Sequence, residues 1–209
     1  ERITSRSLRR LNPANMLRLQ EQRQALFFRL QDDSASACAQ LSACLTLAEQ
    51  WAGVSQEPAA VPCMEESVLS FLRSCEVLTS DWKQMLEQAA NAPEPENLLA
   101  YTPALDQEIR LFTMDMLYRY YLRAAYAETP EAEILPVQMA AFAVCVVLLC
   151  SRRLGFHTAE QRLRIWQLFV KEIEYDGDNL EELEWQLETN AAFSPAAFRA
   201  YFASLGGVQ

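Results

Sequence analysis

A chain of 209 residues, 51% hydrophobic and 22% charged, is long enough for one domain, two at most, with a substantial core. Glycine is scarce, with five in the chain, and Ala, Leu, Glu, Gln and Arg abound, a balance that favours helix because these side chains lose little entropy there. The net charge of −10 argues against a nucleic-acid binder: residues 1–29 carry seven Arg and two acids, but the remainder carries 11 basic and 26 acidic residues, with no basic aromatic cluster. The basic start is expected to dock on an acidic surface, its own or a neighbour's. The first residue is Glu and the opening ERITSRSLRR is no apolar leader, so the chain is expected to be a piece of a longer protein whose preceding part holds the chemistry.

Asn12-Pro13 reads as an N-cap and first helical residue, opening a helix to 31 that carries Met16, Leu17, Leu19, Leu26, Phe27 and Leu30. Arg18, Arg23 and Arg29 alternate with them, either as a docking stripe or as a solvated face. Asp32-Asp33-Ser34 breaks this helix and caps one over 35–52, with Leu41, Cys44, Leu45, Leu47, Ala48 and Trp51 at helical spacing. Gly53 to Pro62 is a loop. A helix over 64–78 presents Val68, Leu69, Phe71, Leu72 and Cys75, and Thr79-Ser80 caps a short helix with Trp82, Met85 and Leu86. NAPEPE at 91–96 is the strongest break, a loop within one domain or a hinge between 1–91 and 97–209.

A long helix is expected over 103–127, with Ile109, Phe112, Met116, Tyr120 and Ala124 as its stripe. Tyr118, Tyr120, Tyr121 and Tyr126 gather there with Arg119 and Arg123. Such a cluster is either a recognition surface or a packed helix whose tyrosine hydroxyls stay wet. Thr129-Pro130 opens the next helix. Its core, Ile134 to Cys150, has one polar residue, Gln138, and no charge. A helix apolar all round is a buried centre or a membrane span. The uninterrupted apolar run, Met139 to Cys150, is short of the roughly 20 residues a span needs, so the buried centre is favoured, near 134–154 with Gly155 as its cap. Thr158 and Gln161 form a capping box for a helix over 159–175 with Leu163, Ile165, Trp166, Phe169, Val170 and Ile173. Asp176-Gly177-Asp178 is a turn into a helix to 189 carrying Leu180, Leu183, Trp185 and Leu187. Ser194-Pro195 starts a last helix to 205, closed by Gly206-Gly207. The whole is an all-α domain of eight or nine helices around one buried apolar helix.

Chemistry is hard to find. The six cysteines (38, 44, 63, 75, 145, 150) form no C-x-x-C pair and there is one histidine, His157, so no zinc site is expected; most of the cysteines read as small buried hydrophobes in a reducing cytoplasm. His157 reads as a surface residue or hydrophobic-staple position. The acidic run 176–182 lacks the alternating ligands of a calcium loop and reads as a capped helix start. Glu172 and Glu174, two apart on a helix, diverge and make no acid–base pair. No glycine-rich phosphate loop is present.

The stretch FVKEIEYDGDN, Phe169 to Asn179, with its continuation LEELEWQLETNAAFS, resembles the C-terminal part of bacterial flagellin lysine-N-methylases. The carrying residues are Phe169, Lys171, Glu172, Ile173, Glu174, Asn179, Leu180, Glu181 and Ala192-Phe193. The preceding order fits as well: the aromatic helix with DMLYRYYLRAAY, the apolar helix and the capped amphipathic one, and, early on, LRLQEQRQALFFRL. Lys171 stands where the family has arginine and Tyr175 where it has histidine, so no role is expected of that histidine here.

The resemblance implies a helical C-terminal domain, residues 1–209, of an S-adenosylmethionine-dependent lysine methyltransferase of the bacterial flagellum, acting on flagellin in the cytoplasm. It implies an iron–sulfur cluster in a preceding Cys-rich part, no cofactor held by this chain, and no nucleic acid or membrane as partner. Without that part the chain is expected to be inactive. Its expected tasks are docking on the Cys-rich part and recognition of flagellin, with Tyr118, Arg119, Arg123, Glu172, Glu174, Asp176, Asp178 and Asn179 as candidate substrate contacts. Two other readings stay open: a non-enzymatic helical interaction module, and a domain holding a small apolar ligand beside the 134–150 helix.

Overall fold

Nine α-helices and no strand make up the described residues of the computed structural model, which are 13–54, 63–93, 100–126 and 133–205. They are α1 (Pro13–Gln31), α2 (Ala37–Ala52), α3 (Met64–Ser74), α4 (Ser80–Asn91), α5 (Pro103–Tyr120), α6 (Leu135–Leu154), α7 (Ala159–Phe169), α8 (Gly177–Thr189) and α9 (Pro195–Ser204). The all-α, single-domain expectation holds, since one hydrophobic cluster runs from Leu19 to Phe202. The expected breaks at 55–62, 94–96 and 129–130, the Asn12 cap and the closing glycines lie outside the described residues.

α6 is the axis. Every residue from Pro136 to Ser151 is buried, against α2, α3, α4, α5, α7, α8 and α9. Its length and apolarity would suffice to cross a membrane, but 89% of the relevant window is buried inside the fold. The lone polar residue explains itself: the Gln138 amide donates 3.0 Å bonds to the carbonyls of Leu187 and Phe193, so burial leaves its Nε2 satisfied. Pro136 sits in the first turn, and Gly155 ends the helix in the left-handed region at φ 66°, where a Cβ would be strained. Phe71, Phe142 and Phe193 pack edge-to-face at 5.2–6.2 Å around it.

Four boundaries differ from the sequence pattern, the first being the start of the second helix, which begins at Ala37 and is capped by Ser36 rather than by Asp32-Asp33-Ser34. The long helix stops at Tyr120 and tightens into a 3-10 segment, Tyr121–Tyr126. Its buried stripe is Leu105, Ile109, Met116, Leu117, Tyr121 and Ala124, joined by Arg110 and Thr113, whereas Phe112 and Tyr120 are half-buried. Arg110 is inside because it caps the α1–α2 corner, donating to the carbonyls of Leu30, Asp32 and Ala35 while paired with Asp106 at 2.7 Å. The third helix ends at Ser74 rather than 78; Cys75 and Thr79 are extended and the residues between them belong to no helix. The helix expected over 159–175 is α7 followed by one π-helical turn, Val170–Glu174, closed by Tyr175 N–H to Val170 C=O at 3.1 Å. The Thr158–Gln161 capping box forms as expected, and His157 is exposed.

Candidate functional site

The resemblance-bearing stretch lies where the π-helix turns into α8. Asp176 caps α8 by accepting from the Asn179 N–H at 2.9 Å, as the acidic turn led one to expect. The wider π turn rotates Glu172 and Glu174 to opposite sides, so the expected divergence is real.

Glu172, 0% exposed, points at residues 75–79. Its carboxyl accepts from the Leu78 N–H at 2.7 Å and from the Thr79 hydroxyl. Asn179, 3% exposed, holds the same segment: its Oδ1 accepts from the Glu76 N–H and its Nδ2 donates to the carbonyls of Glu76 and Glu172, each at 2.8 Å. These two side chains replace the intrahelical bonds that a longer α3 would have made, which is why the chain leaves the helix there. Both are buried and spend their polar atoms on bonds inside the fold, so neither offers the exposed contact expected of a substrate-binding residue.

Glu174 faces the other way, its side chain 2% exposed. It pairs with Arg119 and accepts from the Tyr120 hydroxyl at 2.7 Å. Arg119 also pairs with Asp115 one turn back at 2.6 Å. The Arg119 and Arg123 guanidiniums each lie 5.4 Å from the Tyr120 ring centre, and Arg123 reaches Glu184 of α8 at 3.0 Å. Burial raises the Glu174 pKa, and the bonds from Tyr120 and Arg119 offset only part of this. Burial pulls the Arg119 pKa down, but the Glu174 and Asp115 carboxylates together outweigh it and the net direction is up. Tyr120 is raised by burial first and by its bond to Glu174 second.

Of the eight candidate residues, then, Arg119, Arg123 and Glu174 converge on Tyr120 and join α5, the 3-10 segment, the π turn and α8. Tyr118, 66% exposed, stands apart with Arg23 5.3 Å over its ring. Asp176 is an N-cap and Asp178 is exposed on the first turn of α8. Sequence reading missed Asp115, Glu184 and Thr79. Asp115 was findable as the i−4 partner of Arg119; Thr79 was legible only as a helix cap and not as a partner of Glu172, and nothing local marks Glu184. The arginine stripe of α1 resolves unevenly: Arg18 pairs with buried Glu133 at 2.5 Å, Arg23 stacks on Tyr118, and Arg29 is exposed. An open cleft of about 480 Å³ lies between the start of α4 and α7, where Asp81 pairs with Arg164 at 2.5 Å.

Among the described residues no three His, Cys, Asp or Glu side chains converge as metal ligands. Cys38, Cys44, Cys75, Cys145 and Cys150 are buried. Burial pushes the thiols of Cys38, Cys44, Cys75 and Cys150 up to about 12, which disfavours the thiolate a cluster needs. These residues do not fit an iron–sulfur centre. Comparison of the chain with protein families, with curated proteins and with solved structures finds no match.

Proposed function

We propose that this chain is the helical C-terminal domain of an S-adenosylmethionine-dependent lysine N-methyltransferase that acts on flagellin in the cytoplasm. In this reading the methyl donor and the iron–sulfur cluster belong to a preceding Cys-rich part. The domain docks on that part and recognises flagellin. The observation that supports the reading is the work done by Glu172, Glu174 and Asn179, three of the five polar residues of the resemblance. Each joins segments more than 50 residues apart, so the stretch that carries the resemblance is a joint of the fold. The acidic body of the chain suits lysine-bearing flagellin, since opposite charge speeds encounter.

A non-enzymatic helical adaptor is the second reading. It is favoured by the exposed Tyr118–Arg23 stack, a pairing common at protein interfaces. The test is made on the full-length protein, purified anaerobically, with visible absorption recorded and methyl transfer to flagellin assayed with and without residues 1–209. A coloured protein that methylates flagellin and stops when the domain is removed supports the enzyme reading. A colourless, inactive protein supports the adaptor.

A further inference from the structure

Among the described residues nine large hydrophobic side chains are exposed, and four of them lie on the outer sides of two neighbouring helices. α1 and α5 run antiparallel: Arg110 in the middle of α5 reaches the Leu30 carbonyl near the end of α1, and Arg23 in the middle of α1 reaches the Tyr118 carbonyl near the end of α5. On α1, Leu17 and Phe28 are eleven residues apart, so they fall within about 20° of one another, on the side away from buried Leu19, Leu26 and Leu30. On α5, Leu111 and Tyr118 are seven apart, again about 20°, on the side away from buried Ile109, Thr113 and Met116. The four are 54–66% exposed. The Arg23 guanidinium lies 5.9 Å from the Phe27 ring centre and 5.3 Å from that of Tyr118, and so joins the two lines into one surface.

A single exposed leucine is ordinary, but a continuous apolar face marks an interface. The charge of this face also sets it apart. α1 and α5 together carry five arginines against four acids, in a chain of net charge −10. Three of those acids are paired inside the fold, Asp106 with Arg110, Glu108 with Arg162 and Asp115 with Arg119, which leaves Glu21. Two copies of so acidic a chain repel one another least here. Helices of 19 and 18 residues are each about 27–28 Å long, and side by side they present roughly 28 by 20 Å, about 560 Å². A standard interface buries about 800 Å² per partner, so this face is of a size for a weak two-fold contact, in which one patch serves both copies.

We propose that the outer face of α1 and α5, carrying Leu17, Phe28, Leu111 and Tyr118, is a two-fold interface with a second copy of this chain, packed as a layer of four helices. Such a dimer is independent of the reaction proposed above.

Sedimentation equilibrium of the full-length protein tests this. Wild type should dimerise with a Kd on the order of 10 µM, and more tightly as salt is raised, because screening weakens the repulsion between two acidic copies. Phe28→Asp and Leu111→Asp should each weaken dimerisation about tenfold or more, since each buries a charge at the centre of the contact. Trp185→Asp charges a comparably exposed ring on α8, outside the face, and should leave it unchanged. Urea midpoints check that these exposed substitutions leave the fold intact. A wild type that stays monomeric to about 200 µM, face variants that dimerise like wild type, or an equal loss with Trp185→Asp each overturn the proposal. A monomer whose binding to flagellin falls with Phe28→Asp also overturns it, and gives the face to that partner instead.

Discussion

The α6 core and the joint at 169–180 are both buried, and they hold the molecule in different ways. Around α6 the contacts are apolar on every side, with one amide, Gln138, satisfied by two carbonyls. Such contacts are strong in sum but non-directional, and a neighbouring helix could shift along them at modest cost. At the joint, Glu172, Glu174 and Asn179 bind named groups on α5 and on the 75–79 segment. These bonds add little net energy each, but misplacing one leaves a buried polar group unmade. The first region supplies stability; the second fixes which turn of α5 and which residues after α3 meet the π turn.

That division can be broken by substitution. Phe142→Ala removes the ring that packs on Phe71 and Phe193, and should cost about 4 kcal/mol, read as a lower urea midpoint. Glu172→Ala should cost about 3 kcal/mol because it strands the Leu78 N–H and the Thr79 hydroxyl, and Glu172→Gln less than half of that. Hydrogen exchange sharpens the contrast. Glu172→Ala should speed exchange selectively at the Leu78 amide, whereas Phe142→Ala should raise exchange across the whole core. Uniform acceleration in both would mean that the joint has no separate role.

Glu174 gives a smaller, pH-dependent effect. Burial holds its folded pKa above the ordinary 4.5, so the folded chain binds the proton more readily than the unfolded one. Its contribution is therefore fully present below that ordinary value and is lost as pH rises through the folded value. The stability of wild type relative to Glu174→Gln should fall as pH rises from about 4 and level off above the folded value. A difference that rises instead would show the Arg119 pair outweighing desolvation. The smallest effect concerns the cysteines. A thiol reagent should label exposed Cys63 quickly, and the five buried ones only on unfolding, with no change in stability for Cys63→Ser.

Reading the sequence located most helices because the dominant signals are local: caps at Thr79, Thr158 and Ser194, the left-handed glycine at 155, and a run with no face to give to water. It extended α3 to 78, four residues beyond its end at Ser74, and Val77 and Leu78 are exposed there. It placed Trp185 with the core residues of α8, although the indole faces solvent. At the candidate site it gathered Arg119, Arg123 and Glu174 without knowing that they meet, and it named as substrate contacts Glu172 and Asn179, which are buried.

By itself, then, the sequence determined the helical class, the central position of α6 and the capped start of α8, because periodicity and capping act within a few residues of chain. Only the tertiary structure decided where α3 stops, which carboxylates are buried, and that Tyr120 gathers Arg119, Arg123 and Glu174. Those outcomes depend on hydrogen-bond partners 54 to 103 residues away, and a side chain that satisfies a distant backbone N–H leaves no periodic trace in the chain.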